Sequence, residues 1–504
     1  MPMAFNSWRC QLKQFKCVII GSGFSGICIA ISLKRMGIEQ FVIYEKSNDV
    51  GGTWRDNTYP GVACDVPSHL YSFSFEPYPE WSKLYAPGRE IHDYIKHCAK
   101  KYDLYRHLVF GSAVRRVKWC DGVWQITTDA GEVVQADFVI SSMGGLHTPN
   151  IPPIAGIEMY GNPIFHTSSW NHDVALEGKT VGVVGTGATA VQCVPEIAKK
   201  AKQLFVFQRS PVWVGPKGDT EYSAAEIQAF RDDPALMKKN RWQLWRSWET
   251  TGLDMVKAGS DINKASEKRA LDLIERSVST PDLASKLTPD YNFTCKRPTF
   301  SNSYYATFER PNVELVTAPI ESVTSGGILA GGLERSLDVI IMATGFKPFN
   351  ITHEVDFTGL HGRSLDDVWD TRITSYKSIM VRDMPNMFVM LGPNSGGLTS
   401  ALQMIEQQSK FICQAIMEMA RSGVDAINPK QARIDEFCEK VQVASARTTA
   451  NKGCSSWWTG ADNYNHSVWP ESSIAYRKML SQFDSDDFDC LHSNELNAMT
   501  GSEK

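Results

Sequence analysis

One arrangement near the N-terminus constrains this chain more than any other. Four residues, Cys17, Val18, Ile19 and Ile20, form a short apolar run that reads as a buried parallel strand. They lead into Gly21-Ser22-Gly23-Phe24-Ser25-Gly26 and then a helical stretch with Ile27, Ala30, Ile31 and Leu33 on its apolar side. A second strand, Phe41-Val42-Ile43-Tyr44, ends at Glu45, 19 residues after Gly26. Glycines so placed permit a tight turn and let a pyrophosphate approach a helix N-terminus, while the acid accepts ribose hydroxyls.

The same order recurs further on. Val181-Gly182-Val183-Val184 leads into Gly185-Thr186-Gly187-Ala188-Thr189-Ala190, and a strand from Leu204 to Gln208 ends at Arg209, 19 residues after Ala190. Here a cation replaces the acid. A carboxylate repels a 2′-phosphate, whereas a guanidinium binds one through charged hydrogen bonds. The first site therefore reads as FAD and the second as NADPH, which points to electron transfer between two nucleotides.

The fold expected is α/β, with two Rossmann-like dinucleotide-binding domains (FAD and NADP) and a helical insertion in the second. Residues 66–110 read as mostly helical and aromatic-rich, and 114–134 as a β-hairpin with a turn at Asp121 and Gly122. The Pro-rich segment 149–153 reads as an interdomain linker. Leu244, Trp245 and Trp248, like Leu271, Ile274 and Val278, lie at helical spacing within 218–290 and read as core stripes. The expected division is 1–145 and 346–504 for the FAD-binding domain, 146–217 and 291–345 for the NADP-binding domain, and 218–290 for the insertion. The acidic, polar tail beyond about Ser485 is expected to be loosely ordered.

Composition narrows the function. The net charge of −4 and the lack of a basic block argue against nucleic acid as a partner. No apolar run approaches the ~18–20 residues of a membrane helix, and the N-terminus lacks the apolar core of a secretory signal. The twelve cysteines are scattered without a Cys-x-x-Cys pair, which suggests reduced thiols in a cytoplasmic compartment and argues against a dithiol reductase. No histidines show metal spacing, and His92 and His97 read as solvated helix positions. Nothing in the sequence fixes the oligomeric state.

Residues 51–65, GGTWRDNTYPGVACD, follow the first nucleotide motif and are too irregular for a regular element. Gly51 and Gly52 permit close backbone approach, Trp54 adds a large flat surface with one donor, and Pro60 and Gly61 are turn residues. Such a loop is expected to cover the reactive end of the nucleotide. The stretch resembles the signature of type I Baeyer-Villiger monooxygenases, [A/G]-G-x-W-x-x-x-x-[F/Y]-P-[G/M]-x-x-x-D, with Gly51, Gly52, Trp54, Tyr59, Pro60, Gly61 and Asp65 at every fixed position. The resemblance extends to Met143-Gly144-Gly145-Leu146 and Ala343-Thr344-Gly345 as linkers, to Cys295-Lys296-Arg297-Pro298 as the segment of the active-site arginine, and to Ser456-Trp457 with Gly460-Ala461 as the loop whose Trp closes over NADP.

That resemblance implies an FAD-dependent, NADPH-consuming enzyme that inserts one oxygen of O2 beside the carbonyl of a small ketone or aldehyde. It implies Arg297, Asp65 and His166 as catalytic residues: a fixed cation beside the flavin holds the reacting anion, and Asp65 sets its position. His166 stands on an interdomain segment, which suggests a role in domain geometry. The implied flavin contacts are Gly21, Gly23, Phe24, Ser25, Gly26, Glu45, Lys46, Gly52, Thr53, Trp54, Asp56, Cys64, Asp65, Tyr71, Val114 and Asn394. Those for NADP are Gly185, Thr186, Gly187, Ala188, Thr189, Ala190, Gln192, Arg209, Ser210, Lys296 and Trp457, with Lys296 either on the 2′-phosphate or a solvated surface charge. One fingerprint departs. Where the family reads F-x-G-x-x-x-H-x-x-x-W-[P/D], this chain keeps His166 and Trp170 but has Tyr160, Asn162 and Asn171. That leaves a further reading, a relative that hydroxylates nitrogen or sulfur; a reading from another class, a catalytically silent nucleotide-binding module, is opposed by the two intact nucleotide sites.

Overall fold

The computed structural model describes residues 12–492, apart from 349–350, 397–398, 450–452, 455 and 461. The strand Lys13–Ile20 lies between Phe41–Tyr44 and Val133–Ser141, parallel to both, with Cys17 opposite Phe41 on one side and Phe138 on the other. Helices cover both faces of such a strand, and Cys17, Val18 and Ile19 are fully buried, which is why the run is continuously apolar. Val114–Cys120 and Val123–Thr128 form the antiparallel hairpin. Its turn residues Asp121 and Gly122 have φ of 51° and 83°, the left-handed pair that a two-residue turn between twisted strands requires. The chain returns to this sheet late: Met387–Val389 pairs in parallel with Val133–Ser141, Met387 opposite Val139.

The second sheet is wholly parallel, in the order Val313–Val316, Gln203–Phe207, Thr180–Val184, Val339–Met342, Ile164–His166. The insertion 218–290 contains four helices, Ala224–Asp232, Pro234–Val256, Asp261–Ser277 and Pro281–Leu287. Local chemistry sets their starts. Ser223 and Glu226 form a reciprocal capping box, and Asp233 accepts from the Ala235 amide at 2.8 Å just before Pro234 occupies the first turn. Ile274 and Val278 join the core of the second sheet, but Leu271 faces outward and Leu273 takes the inward place. Leu244, Trp245 and Trp248 pack instead against the core of the flavin half, where Trp245 Nε1 donates to Ser473 Oγ at 3.2 Å.

Three sequence expectations are corrected. Residues 66–110 are not mostly helical: the α-helix is Gly88–Lys101, preceded by irregular chain broken at Pro67, Pro77, Pro79 and Pro87. The irregular part is fixed by side chains, with Tyr94 accepting from the Phe73 amide at 2.8 Å and Glu406 from the Ser74 amide at 2.6 Å. The tail is ordered as far as the described residues go. Phe488–Leu491 pairs antiparallel with Ala426–Pro429, and buried Asp487 is bonded by Tyr376, Lys377 and Arg433. The thiols are not all reduced, for Cys295 and Cys454 form a disulfide while nine other described cysteines are free.

Candidate active site

A single cavity of about 1530 Å³ runs along both glycine motifs, larger than the roughly 300–1,000 Å³ of a site for one small ligand. At its flavin end, Gly23 precedes the helix Phe24–Arg35 without any side-chain cap, so the first amides of that helix remain free for an anion. Gly21, Phe24 and Ser25 line the same wall. Gly26 lies beneath it and serves packing: a Cβ there would meet the Gly21 carbonyl oxygen at 2.0 Å, so helix and strand approach only with glycine.

Glu45 sits at the end of its strand, 4% exposed. Burial alone would raise its pKa, but Arg55 at 3.0 Å and bonds from Ser22 Oγ (2.7 Å), the Ser22 amide (3.0 Å) and the Ser47 amide (3.0 Å) bring it below the ordinary carboxylate value. Arg55 also binds Asp56 at 2.7 Å and the Asp49 carbonyl at 2.6 Å. The acid is therefore ionised and fixed in position. Lys46, Gly52, Thr53, Asp56, Cys64 and Val114 line the cavity nearby.

The loop 51–65 contains one helical turn, Thr53–Asp56. Gly51 has φ of 127°, and a Cβ there would meet the His92 ring at 2.6 Å. His92 is not a solvated helix position, because its Nε2 lies 2.8 Å from the Val50 carbonyl and buttresses the loop from behind. Trp54 Nε1 donates to the Tyr71 hydroxyl at 3.2 Å, the rings edge to face at 5.6 Å, and both line the cavity. Trp54→Ala should leave the fold intact, since Trp54 is only half-buried, but lower flavin retention or turnover. Flavin absorbance per purified chain and NADPH oxidation rate check this, and full occupancy with unaltered turnover would count against the placement.

On the cavity wall two residues 232 apart in the chain meet. Arg297 Nε donates to Asp65 Oδ2 at 3.1 Å, and Arg297 Nη2 lies 2.9 Å from each Asp65 oxygen. Asp65 holds the guanidinium pKa above its already high value, so Arg297 is charged at every working pH. Its side chain is 41% exposed and lines the cavity.

At the NADP end, Gly187 opens the helix Ala188–Ala198 without a side-chain cap, and Gly185, Thr186, Ala188 and Thr189 line the cavity with it. Thr186 Oγ1 donates to the Ser210 carbonyl at 2.9 Å. Lys296 Nζ lies 3.4 Å from Ser210 Oγ and 4.6 Å from the centre of the Tyr291 ring. Burial and then nearby Arg209 push the Lys296 ammonium below its ordinary pKa. Arg209 has no ion pair among the described residues, and its repulsion of Lys296 outweighs the opposing attraction of Asp290. A phosphate relieves that repulsion, and these residues fit a 2′-phosphorylated nucleotide. Trp457 also lines the cavity, half exposed, its carbonyl accepting from Ser467 Oγ at 3.2 Å.

A family model, flavin-binding monooxygenase-like, matches residues 14–231. A Baeyer-Villiger monooxygenase of Streptomyces coelicolor is 36% identical over 485 residues, covering 95% of this chain and 93% of the relative. The chain belongs to the Baeyer-Villiger monooxygenases. Its structure is similar to the closed crystal structure of cyclohexanone monooxygenase (TM-score 0.86, 28% identity, 95% of this chain and 100% of that one). It is similar also to that of OTEMO in complex with FAD and NADP (TM-score 0.86, 28% identity, 95% and 99%). The chain is thus an NADPH-dependent flavoprotein monooxygenase with FAD- and NADP-binding Rossmann domains, as the two fingerprints indicated.

Among the residues expected at this Baeyer-Villiger site, four lie off the cavity wall. Gly26 and Ala190 sit under the two nucleotide turns. Asn394 is fully buried and spends its amide on the Asn465 carbonyl at 2.8 Å, a link between loops. His166, implied as catalytic but read as governing domain geometry, does not line the cavity. It pairs with Met342 across the second sheet, its Nδ1 is 2.8 Å from Ser168 Oγ, and its ring packs edge-on against Phe346 beside the second linker. Burial lowers its pKa, which favours a neutral imidazole that holds neighbouring chain in place. The departures around it are absorbed locally, since Tyr160 OH and Asn162 Nδ2 both donate to the Leu337 carbonyl, at 2.9 and 3.2 Å.

Gln192 lines the cavity and has a second part beside the expected one. It accepts from Tyr59 OH at 2.9 Å and donates to the Ala63 carbonyl at 2.9 Å, fastening the loop 51–65 to the helix Ala188–Ala198. Of this clasp, the motif signalled only Tyr59. Arg55 carried a weak signal as the one cation in the loop, and His92 carried none. Ala461 of the C-terminal motif lies outside the described residues.

Proposed function

We propose that the enzyme converts a small ketone or aldehyde to an ester or lactone, with Arg297 and Asp65 as its catalytic pair. The bidentate Arg297–Asp65 contact inside the shared cavity carries this reading. Bound FAD and NADPH supply the electrons and the activation of O2. Arg297 holds negative charge beside the reacting oxygen, and Asp65 fixes the orientation of its planar fork. Val66, Leu402, Ile405 and Val468 give the cavity an apolar wall suited to a hydrocarbon carbonyl compound. His166 acts as a positioning residue at the linkers. Trp457 covers the NADP end, and Arg209 and Lys296 read the 2′-phosphate.

The strands each segment gives to its sheet support a domain division of 1–145 with 346–504, and 146–217 with 291–345 around the insertion 218–290. Among the described residues no helix is long and apolar enough to cross a membrane. A cytoplasmic location suits the nine free described cysteines.

Product analysis against cyclic, linear and aromatic ketones, with sulfides and amines alongside, tests the reaction. Ester or lactone formation coupled to NADPH consumption is expected, and oxidation of heteroatoms with no ester from any carbonyl compound would overturn it. Trp457→Ala tests the NADP end. Losing one immobilised side chain should raise the NADP+ dissociation constant by roughly three- to tenfold, with flavin content unchanged. Titration of NADP+ by flavin absorbance measures this.

A further inference from the structure

Two cysteines 159 residues apart meet behind the site as a disulfide. Cys295 immediately precedes Lys296 and Arg297 and is fully buried, packed with Trp213, Tyr291 and Phe293. Cys454 is half-buried and stands three residues before Trp457. The C-terminal segment is anchored on both sides of it. Before it, the Thr449 amide and hydroxyl donate to the Val256 carbonyl at 2.8 and 3.1 Å. After Trp457, the Gly396 amide donates to the Ser467 carbonyl at 2.8 Å. Between these anchors, the disulfide joins the run that carries Trp457 directly to the backbone that carries the two site cations.

We propose that Cys295 and Cys454 form a reversible thiol–disulfide site, closed by a hydroperoxide and opened by a dithiol, that governs how firmly the Trp457 run is held over NADP. It rests on the placement of Trp457 proposed above. In closing, one thiolate attacks a peroxide oxygen and the O–O bond breaks, giving a sulfenic acid and hydroxide. The second thiolate then displaces the sulfenic oxygen, which leaves as water once protonated. Each sulfur loses one electron, and the peroxide is reduced to two waters. In opening, one thiolate of an external dithiol attacks the sulfur of half-buried Cys454 and Cys295 leaves as a thiolate; the dithiol's second thiolate then attacks the mixed disulfide, releasing Cys454 as a thiolate while the reagent closes to its own disulfide. Hydrogen peroxide is also the by-product of a monooxygenase that reduces O2 without oxygenating its substrate, so unproductive turnover would itself close the link.

The test uses holoenzyme treated with either hydrogen peroxide or dithiothreitol, then alkylated and mapped by mass spectrometry. A Cys295–Cys454 crosslink after peroxide, and alkylation of both cysteines after dithiothreitol, are expected. Reduced enzyme should bind NADP+ roughly three- to tenfold more weakly than linked enzyme, the worth of ordering one side chain. Cys454→Ser should match the reduced enzyme and ignore both reagents; it is the chosen variant because Cys295 sits in a packed aromatic cluster. Two thiols that stay alkylatable after peroxide overturn the site. A weaker NADP+ affinity in Trp457→Ala, with no effect of dithiothreitol on wild type, overturns the switch alone. Unchanged affinity in Trp457→Ala overturns the placement of Trp457, and the switch with it.

Discussion

Arg297→Ala is expected to consume NADPH and O2 while releasing hydrogen peroxide in place of ester. Reduction of the flavin depends on the two nucleotide sites, and their walls of Gly21, Gly23, Gly185 and Gly187 are untouched by the change. In the reaction proposed above, oxygen insertion depends on the positive charge of Arg297, which Asp65 holds in the cavity. Removing one such preorganised donor costs roughly 10²–10³-fold in rate at other enzymes, and ester yield per NADPH should fall by about that factor. Arg297→Lys should rescue poorly, because a Lys ammonium cannot make the paired Nε and Nη2 contacts that fix the guanidinium against Asp65. Simultaneous assay of ester, peroxide and NADPH decides the matter. Normal ester yield in Arg297→Ala would remove Arg297 from the mechanism.

Arg209→Ala should damage NADPH use far more than NADH use. Losing charged hydrogen bonds worth ~1.5–3 kcal/mol corresponds to roughly ten- to a hundredfold in NADPH affinity. Lys296 should mute the loss, since its ammonium stays beside Ser210, and the double variant Arg209→Ala/Lys296→Ala should lose the preference for NADPH altogether. Steady-state constants with both nucleotides measure this, and equal losses for the two would show that Arg209 does not read the phosphate.

What the sequence disclosed and what it hid divides along a physical line. Strands such as 17–20 and 339–342 were legible because burial on both faces forces continuous apolar runs. The two nucleotide turns were legible because tight turns restrict which residues fit, and the helical character of 218–290 because amphipathic spacing is local, although two stripes alone did not divide it into four helices. The pairing of Asp65 with Arg297 was legible only through a known signature, since nothing in the chain between them encodes their contact. His92 behind Gly51, Gln192 under Tyr59 and Cys295 beside Cys454 are products of topology and left no local trace. Asn394 shows the converse: a residue type suited to binding was read as part of the site, whereas its amide is bonded to the Asn465 carbonyl and links two loops.

The late return of the chain to its first sheet bears on how the protein is made. Met387–Val389 completes the pairing of Val133–Ser141, yet Val389 is synthesised 248 residues after Ser141. At about 5–20 residues per second, a ribosome takes roughly 12–50 s to cover that distance. The strands of the second sheet all lie inside the gap, so that sheet is free to form first, on a nascent chain whose earlier sheet is still unfinished. During that interval part of Val133–Ser141 presents an unpaired edge, the kind of edge that recruits other chains. Slower growth temperature and chaperone supply should therefore govern soluble yield more strongly than any single side chain in the cavity.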